Sequence, residues 1–180
     1  MKRKVEQGAQ PYFMAREKHK KLKKFAVFII GEEYFGIEIT RVVEILNTQK
    51  IHSIPEMPDF LSGVITVRGE IIPIIDLRQR LCVRSLSEKE LIIVIKYDNE
   101  KVGILVDTVK EIISLTDDEI IIPPSIFRGL KRKYLSGLGK KGDRIIIILN
   151  LDDLLTSEEK VMLKEAEEIL GEDAGTAKTA

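Results

Sequence analysis

The stretch GIEITRVVEI occupies residues 36–45, and a related stretch, GILVDTVKEI, occupies residues 103–112. They agree at five positions, which carry glycine, isoleucine, valine, glutamate and isoleucine in both copies at the same spacing. Agreement at a fixed spacing is typical of an internal repeat, in which one small structural unit is written twice. The repeat therefore predicts two equivalent halves.

Both halves begin with the same predicted element, a β-hairpin. Residues 25–31 and 33–39 are apolar, β-branched and aromatic, and so are residues 91–97 and 101–107. Short polar turns separate the members of each pair, a pattern that predicts two antiparallel strands. In the first half we expect a short helix to follow over residues 41–46, capped by Thr40 and ended by Asn47.

A second strand pair ends each half after a proline-containing loop. Residues 63–77 predict two strands around Gly69, and residues 137–155 repeat this layout with Gly142 in the place of Gly69. About five short strands with glycine-marked turns favour a small closed barrel, since closure removes free sheet edges. We therefore predict a mainly β fold of two five-stranded barrels, the first at about residues 24–84 and the second at about 88–150.

A helix is predicted beyond the barrels, over residues 156–170. Thr156 and Glu159 form a T-x-x-E capping box. One helical face carries apolar side chains, which predicts packing on a barrel or, alternatively, against a partner; they are Met162, Ala166, Ile169 and Leu170. Residues 1–23 and 171–180 are predicted to be flexible tails.

Composition limits the class of protein. The 180 residues carry 29 basic and 29 acidic side chains, so a general nucleic-acid binder, which usually has a basic excess, is disfavoured. Cys82 is the only cysteine, which argues for a reducing compartment, and no apolar run is long enough to span a membrane. We predict a soluble cytoplasmic protein without direct membrane insertion.

The N-terminal segment concentrates positive charge. Residues 1–24 hold nine basic and two acidic side chains, a net charge of +7. A solvated arm explains this charge, and attraction to an anionic leaflet or an acidic partner is the alternative. A small β-barrel with a basic arm could also bind nucleic acid, but that reading predicts stacking aromatic residues, and only 6% of residues are aromatic.

The sequence offers no set of residues for catalysis. Residues 137–142 fit the pattern G-x-G-x-x-G, but a predicted strand follows where a dinucleotide site needs a helix. Cys82, His19 and His52 are the only soft ligands, so no zinc site is predicted. We predict no cofactor and no metal, and a binding or scaffold protein rather than an enzyme.

Arg68 lies between two strand-like segments. An unpaired charge at such a position is costly, so a partner for Arg68 is expected. Glu44 is a candidate partner in the same half. An ion pair between them either fixes the geometry of a loop or forms a polar switch beside a partner groove. The sequence leaves both readings open.

Several stretches taken together resemble the CheW family, the adaptors of bacterial chemotaxis. The resemblance covers roughly residues 24–170 and rests on IPEMPDFLSGVITVRGEIIPIIDLR, on the two copies of the repeat and on YLSGLGKKGDRIIIILNLDDLLTSEE. It implies two five-stranded SH3-like barrels, no catalysis, and a location at membrane-associated chemoreceptor arrays. It also implies two partners, the regulatory domain of the histidine kinase CheA and the cytoplasmic hairpin tip of a chemoreceptor; self-association in arrays stays open.

The resemblance also points to individual residues. Six positions match family positions linked to kinase or receptor coupling: Val42, Glu44, Gly63, Arg68, Val109 and Ile112. Core packing is the alternative for the three aliphatic residues. Thr66 and Val67 stand before Arg68 where the family usually has asparagine and leucine. A CheW-like regulatory domain of a kinase, or one fused to a receiver, is disfavoured because the chain holds neither an ATP-binding nor a receiver segment.

Overall fold

The computed structural model describes residues 21–53, 55, 57, 59–84, 87, 90–122 and 132–176. Most of the predicted N-terminal tail lies outside these residues. The strands are β1 (Leu22–Ile30), β2 (Glu33–Glu38), β3 (Val42–Asn47), β4 (Leu61–Val67), β5 (Glu70–Asp76), β6 (Leu91–Tyr97), β7 (Glu100–Val106), β8 (Thr108–Thr116), β9 (Ile120–Ile121), β10 (Leu135–Lys141) and β11 (Arg144–Leu149). The α-helices are α1 (Leu77–Leu81) and α2 (Ser157–Thr176).

These strands form two sheets. The central sheet has the order β3-β6-β7-β5-β4, and the terminal sheet has the order β8-β1-β2-β11-β10-β9, in which β9 contributes only two residues. The prediction of a mainly β chain with two small barrels is confirmed. Each sheet contains one parallel pair, β5 with β7 and β2 with β11.

The division of the chain between the sheets differs from the contiguous barrels predicted at about residues 24–84 and 88–150. The central sheet uses the contiguous strands β3 to β7, whereas the terminal sheet joins β1 and β2 to the strands at the other end of the chain. The leading hairpin of each half therefore inserts between strands of the other half. Duplication permits this exchange, because equivalent hairpins fit equivalent gaps, and local sequence patterns do not reveal it.

The parallel pairs explain the repeated glycine. Gly36 lies opposite Ile148, and Gly103 lies opposite Ile74. A Cβ atom on Gly36 would come within 3.0 Å of the Ile148 Cδ1 atom, and one on Gly103 would collide with the Cδ1 atom of Ile74. Glycine therefore recurs because, in both parallel pairs, an isoleucine of the neighbouring strand fills the space that a side chain would occupy.

The prediction of a short helix over residues 41–46 is wrong. A 3₁₀ turn over Ile39–Arg41 leads directly into strand β3, and the corresponding segment of the second half is strand β8. The exposure of β3 alternates along the strand, as expected for a half-buried edge. Ladder pairing with β6 outweighs the weak local helix signal, since valine and isoleucine fit a pleated surface well.

The largest hydrophobic core lies between the sheets, and we call it the inter-sheet core. It includes Phe28 and Phe35 from the terminal sheet and Ile93 and Ile104 from the central sheet. Each sheet also surrounds a smaller cluster of its own. Because most of the buried apolar surface is shared, the two barrels are expected to unfold as one cooperative unit.

Helix α2 follows the last strand of the terminal sheet along the chain and contacts β5 of the central sheet. Leu163 is buried in the inter-sheet core, and Glu159 forms an ion pair with Arg80 of α1 at 2.8 Å. The predicted core-facing residue Met162 is instead 45% exposed. The helix also extends to Thr176, six residues beyond the predicted end at 170. Neither α-helix in the described segments is long and apolar enough to cross a membrane.

The predicted capping box at the start of α2 is confirmed. The backbone N–H of Thr156 donates to Glu159 Oε2 at 2.8 Å, and the N–H of Glu159 donates to Thr156 Oγ1 at 3.2 Å. Thr156→Ala should therefore lower the free energy of unfolding by about 1 kcal/mol in urea denaturation. Ser157→Ala is the matched control, and equal stability of the two variants would contradict this role.

Candidate partner-binding surface

The corner that begins β3 carries the first of the candidate residues. Val42 pairs with Ile95 and is half-buried against the inter-sheet core, as the core-packing alternative expects. A β-bulge at Val43 then shifts the register, so that Ile45 lies opposite Ile93. Val43 and Ile45 are 47% and 45% exposed. The corner therefore combines a packed base with an accessible apolar edge.

Glu44 and Arg68, candidate partners from the sequence, form a bidentate ion pair. The guanidinium Nη1 and Nη2 atoms donate to the two carboxylate oxygens of Glu44 at 3.1 and 3.0 Å. Arg68 and Gly69 both have positive φ, 50° and 84°, as a tight hairpin turn between β4 and β5 requires. The pair links this turn to β3, the opposite edge strand of the central sheet.

The exposure of the two partners is unequal. The side chain of Arg68 is 79% exposed, whereas that of Glu44 is only 20% exposed. Glu44 is therefore held against the sheet, while the arginine presents its face to solvent. An exposed ion pair contributes little to stability, because water and salt screen it. Fixing the turn and offering a charged face to a partner are both compatible with this geometry.

Gly63 has a structural explanation in the backbone. Its φ of 138° lies at a β-bulge, and a Cβ atom would approach the carbonyl oxygen of His52 to 2.6 Å. Gly137 occupies the equivalent bulge in β10, where a Cβ atom would crowd Ile120. Both glycines end the tripeptide Leu-Ser-Gly, at residues 61–63 and 135–137. The alignment of Gly69 with Gly142 did not reveal this second repeat, because the two alignments differ by one residue.

The second-half candidates lie in the terminal sheet, away from the sheet that carries the other four. Val109 pairs with Phe28 and is half-buried against the inter-sheet core, so core packing accounts for its burial. Ile112 pairs with Ala26 and is 62% exposed, so the core alternative is wrong for this residue. Glu111, between them, forms an ion pair with Arg144 at 2.6 Å.

The two copies of the opening repeat therefore have the same structural roles. Both valines are half-buried, both glutamates pair with an arginine from a hairpin, and both final isoleucines are exposed on an edge strand. The final isoleucines are Ile45 and Ile112. The fold thus offers two equivalent edges, one in each sheet, each with an apolar and a charged component.

A polar cluster at the β3 corner was also missed. Arg41 donates from Nε to the carbonyl oxygen of Lys96 at 3.0 Å and from Nη2 to Asp152 Oδ1 at 2.8 Å. The hydroxyl of Tyr97 donates to the backbone oxygen of Asp152 at 3.3 Å. Burial raises the pKa of the Tyr97 hydroxyl. The hydrogen bond to Tyr97 raises the pKa of Lys160 on α2. These residues are distant in sequence, so no local motif marks them.

Within the described residues, no group of three or more His, Cys, Asp or Glu side chains could hold a metal ion. Gly137 and Gly139 lie within β10, and Gly142 occupies the turn before β11, so the predicted strand follows the glycine pattern.

Comparison with known proteins identifies one family. A family model described as the CheW-like domain matches residues 24–159. The chemotaxis protein CheW of Klebsiella aerogenes is 38% identical over 143 residues, 78% of this chain and 86% of that protein. CheW of Treponema pallidum is 30% identical, covering 76% of this chain and 84% of that protein. The crystal structure of scaffolding protein TtCheW from Thermoanaerobacter tengcongensis has a TM-score of 0.71 and 34% identity, covering 79% of this chain and 94% of that one.

Proposed function

Because the chain belongs to the CheW family, whose members here are chemotaxis scaffold proteins, we propose that it couples a chemoreceptor to the histidine kinase CheA. The proposal is that the protein binds the regulatory domain of the kinase and the cytoplasmic hairpin tip of the receptor, and that it does so at receptor arrays in the cytoplasm. It carries out no chemistry of its own and alters signalling by holding its partners together.

The presence of two equivalent edges is the observation that carries this proposal. A connector needs at least two contact surfaces, and the duplication supplies one on β3 of the central sheet and one on β8 of the terminal sheet. Each edge exposes an isoleucine beside a glutamate–arginine pair. Apolar side chains rimmed by charged groups are typical of protein interfaces.

We assign the edges to partners as part of the proposal. The β3 edge, with Val42, Glu44 and Arg68, is proposed to contact mainly the kinase, with a contribution to the receptor. The β8 edge, with Val109 and Ile112, is proposed to contact the receptor helix, since an amphipathic helix binds through apolar anchors at regular spacing. Gly63 is proposed to act indirectly, by shaping the strand that leads to the Arg68 turn.

The test is pairwise binding of the purified protein to a receptor cytoplasmic fragment and to the CheA regulatory domain, measured by isothermal titration calorimetry. The proposal expects specific binding to both. RNA is included as a third titrant, and binding to RNA with neither protein partner bound would favour the nucleic-acid alternative.

Ile112→Lys separates the two edges. Because Ile112 is 62% exposed, the substitution should leave the melting temperature within about 2 °C of wild type. It should weaken receptor binding about tenfold, as expected when a charge is placed in an apolar contact, and leave kinase binding unchanged. Ile145→Lys, at an isoleucine on β11 that is 60% exposed, is the matched control. Equal receptor affinity of the two variants would remove β8 from the receptor interface.

A further inference from the structure

Arg41 lies immediately before β3, the proposed kinase edge. Its side chain makes two hydrogen bonds, both to residues outside β3. Arg41 ends the 3₁₀ turn Ile39–Arg41, and Val42 begins β3. Its Nε atom donates to the carbonyl oxygen of Lys96 in the central sheet, and its Nη2 atom donates to the carboxylate of Asp152. The side chain is therefore held at two points, one in each part of the fold.

The backbone of Asp152 is hydrogen-bonded on both sides of the residue. It lies in the 3₁₀ turn Leu151–Asp153 that follows the terminal sheet, and its N–H donates to the side chain of Asn150 at 3.2 Å. Leu151 is buried in the inter-sheet core, and the hydroxyl of Tyr97 donates to the Asp152 backbone oxygen. Backbone contacts on both sides thus fix the position from which the carboxylate meets Arg41.

The pair itself is accessible to solvent. The side chain of Arg41 is 29% exposed and that of Asp152 is 66% exposed. Exposed pairs contribute little to overall stability, so stability alone does not explain why two hydrogen bonds fix this corner. Their geometric consequence is local, since they fix where the chain turns into β3.

We propose that Arg41 and Asp152 are positioning residues for kinase binding. The ion pair holds the turn Ile39–Arg41 against the end of the terminal sheet and so sets the direction in which β3 presents Val42 and Glu44. This inference rests on the proposed function of the β3 edge. Pre-forming that edge avoids the cost of ordering it when the partner binds.

A double-mutant cycle tests the inference. The affinity for the CheA regulatory domain is measured by isothermal titration calorimetry for wild type, Arg41→Ala, Asp152→Ala and the double variant. Each single variant should bind about fivefold more weakly, and the double variant should bind no more weakly than Arg41→Ala, because Arg41→Ala already removes the contact with Asp152. Arg144→Ala is the matched control: it breaks an exposed ion pair with Glu111 on β8, at the edge assigned to the receptor, and it should bind the kinase domain as wild type does.

A second measurement separates positioning from general damage. Amide hydrogen exchange at Val42 and Val43 in the free protein should be about tenfold faster in Arg41→Ala and Asp152→Ala, with the melting temperature within about 2 °C of wild type. A direct partner contact by Arg41 would leave these amides unchanged. Arg41→Lys can still pair with Asp152 but lacks the Nε donor to Lys96, so it should recover part of the affinity.

The outcomes distinguish this inference from the proposed function. If the wild-type protein does not bind the kinase domain, the proposed function fails. If wild type binds and Arg41→Ala binds equally well, only the inference fails. Loss of affinity in Arg41→Ala with normal affinity in Asp152→Ala also overturns the inference, because Arg41 then acts on the partner directly.

Discussion

Gly103→Ala should lower the free energy of unfolding by about 3 kcal/mol in urea denaturation, because the new methyl group overpacks a filled core. Its Cβ atom would collide with the Cδ1 atom of Ile74 and lie 3.0 Å from Ile92 Cγ2. Both isoleucines are fully buried in the small cluster inside the central sheet, so neither can move into free space. The preference of strands for alanine over glycine recovers less than about 1 kcal/mol.

The other glycines supply the controls. Gly36→Ala should cost about 1 kcal/mol, since the nearest atoms of Ile148 and Ile146 lie at 3.0 and 3.1 Å and need move only slightly. Gly142→Ala meets no atom within 4 Å, but its φ of 60° adds a backbone cost of about 1 kcal/mol. A Gly103→Ala variant as stable as wild type would contradict the close packing of the parallel strands β5 and β7 at this glycine.

Arg68→Glu should weaken binding to the CheA regulatory domain more than tenfold, the second large effect that we expect. The substitution reverses a charge on a side chain that is 79% exposed and places it beside Glu44, so it changes the charge that a partner meets. Like-charge contact across an interface is costly. The free energy of unfolding should fall by only about 1 kcal/mol, because the lost pair is accessible to solvent.

The charge-swapped double variant Glu44→Arg with Arg68→Glu separates the two readings of this pair. It restores an ion pair between β3 and the β4–β5 turn, so stability should recover. If the pair only fixes the turn, binding should recover with it. We expect binding to stay weak, because the exposed face remains acidic. Lys101→Glu, which reverses a charge in another pair of the central sheet, is the matched control and should bind normally.

Local sequence patterns predicted the elements that depend on local chemistry. The apolar, β-branched and aromatic runs separated by short polar turns predicted the hairpins, and Thr156 with Glu159 predicted the start of α2 correctly. The glycine turn at Gly142 and the strand that follows it were also predicted, because turn chemistry and β-branched runs act over a few residues. The repeat predicted duplication. Its glycine occurs in both copies because Gly36 and Gly103 each pack closely against an isoleucine of the neighbouring parallel strand.

The features that sequence could not supply depend on contacts between distant parts of the chain. Each leading hairpin can pair with strands of its own half or with the equivalent strands of the other half. Because the two halves offer equivalent edges, local sequence does not show which pairing forms. Strand β3 was predicted as a helix because its pairing with β6 lies outside the local pattern. The contact between Arg41 and Asp152 joins residues 111 positions apart. Helical periodicity placed Met162 in the core, but α2 buries Leu163 and leaves Met162 45% exposed.

Three-component co-sedimentation tests the central claim most directly. A receptor cytoplasmic fragment assembled on vesicles is centrifuged with the CheA regulatory domain, with and without this protein, and with its Arg68→Glu variant. We predict that the kinase domain appears in the pellet only when the wild-type protein is present, and that the variant pellets with the receptor but leaves most of the kinase domain in solution. Equal amounts of kinase domain in the pellet with and without the protein would contradict a coupling function.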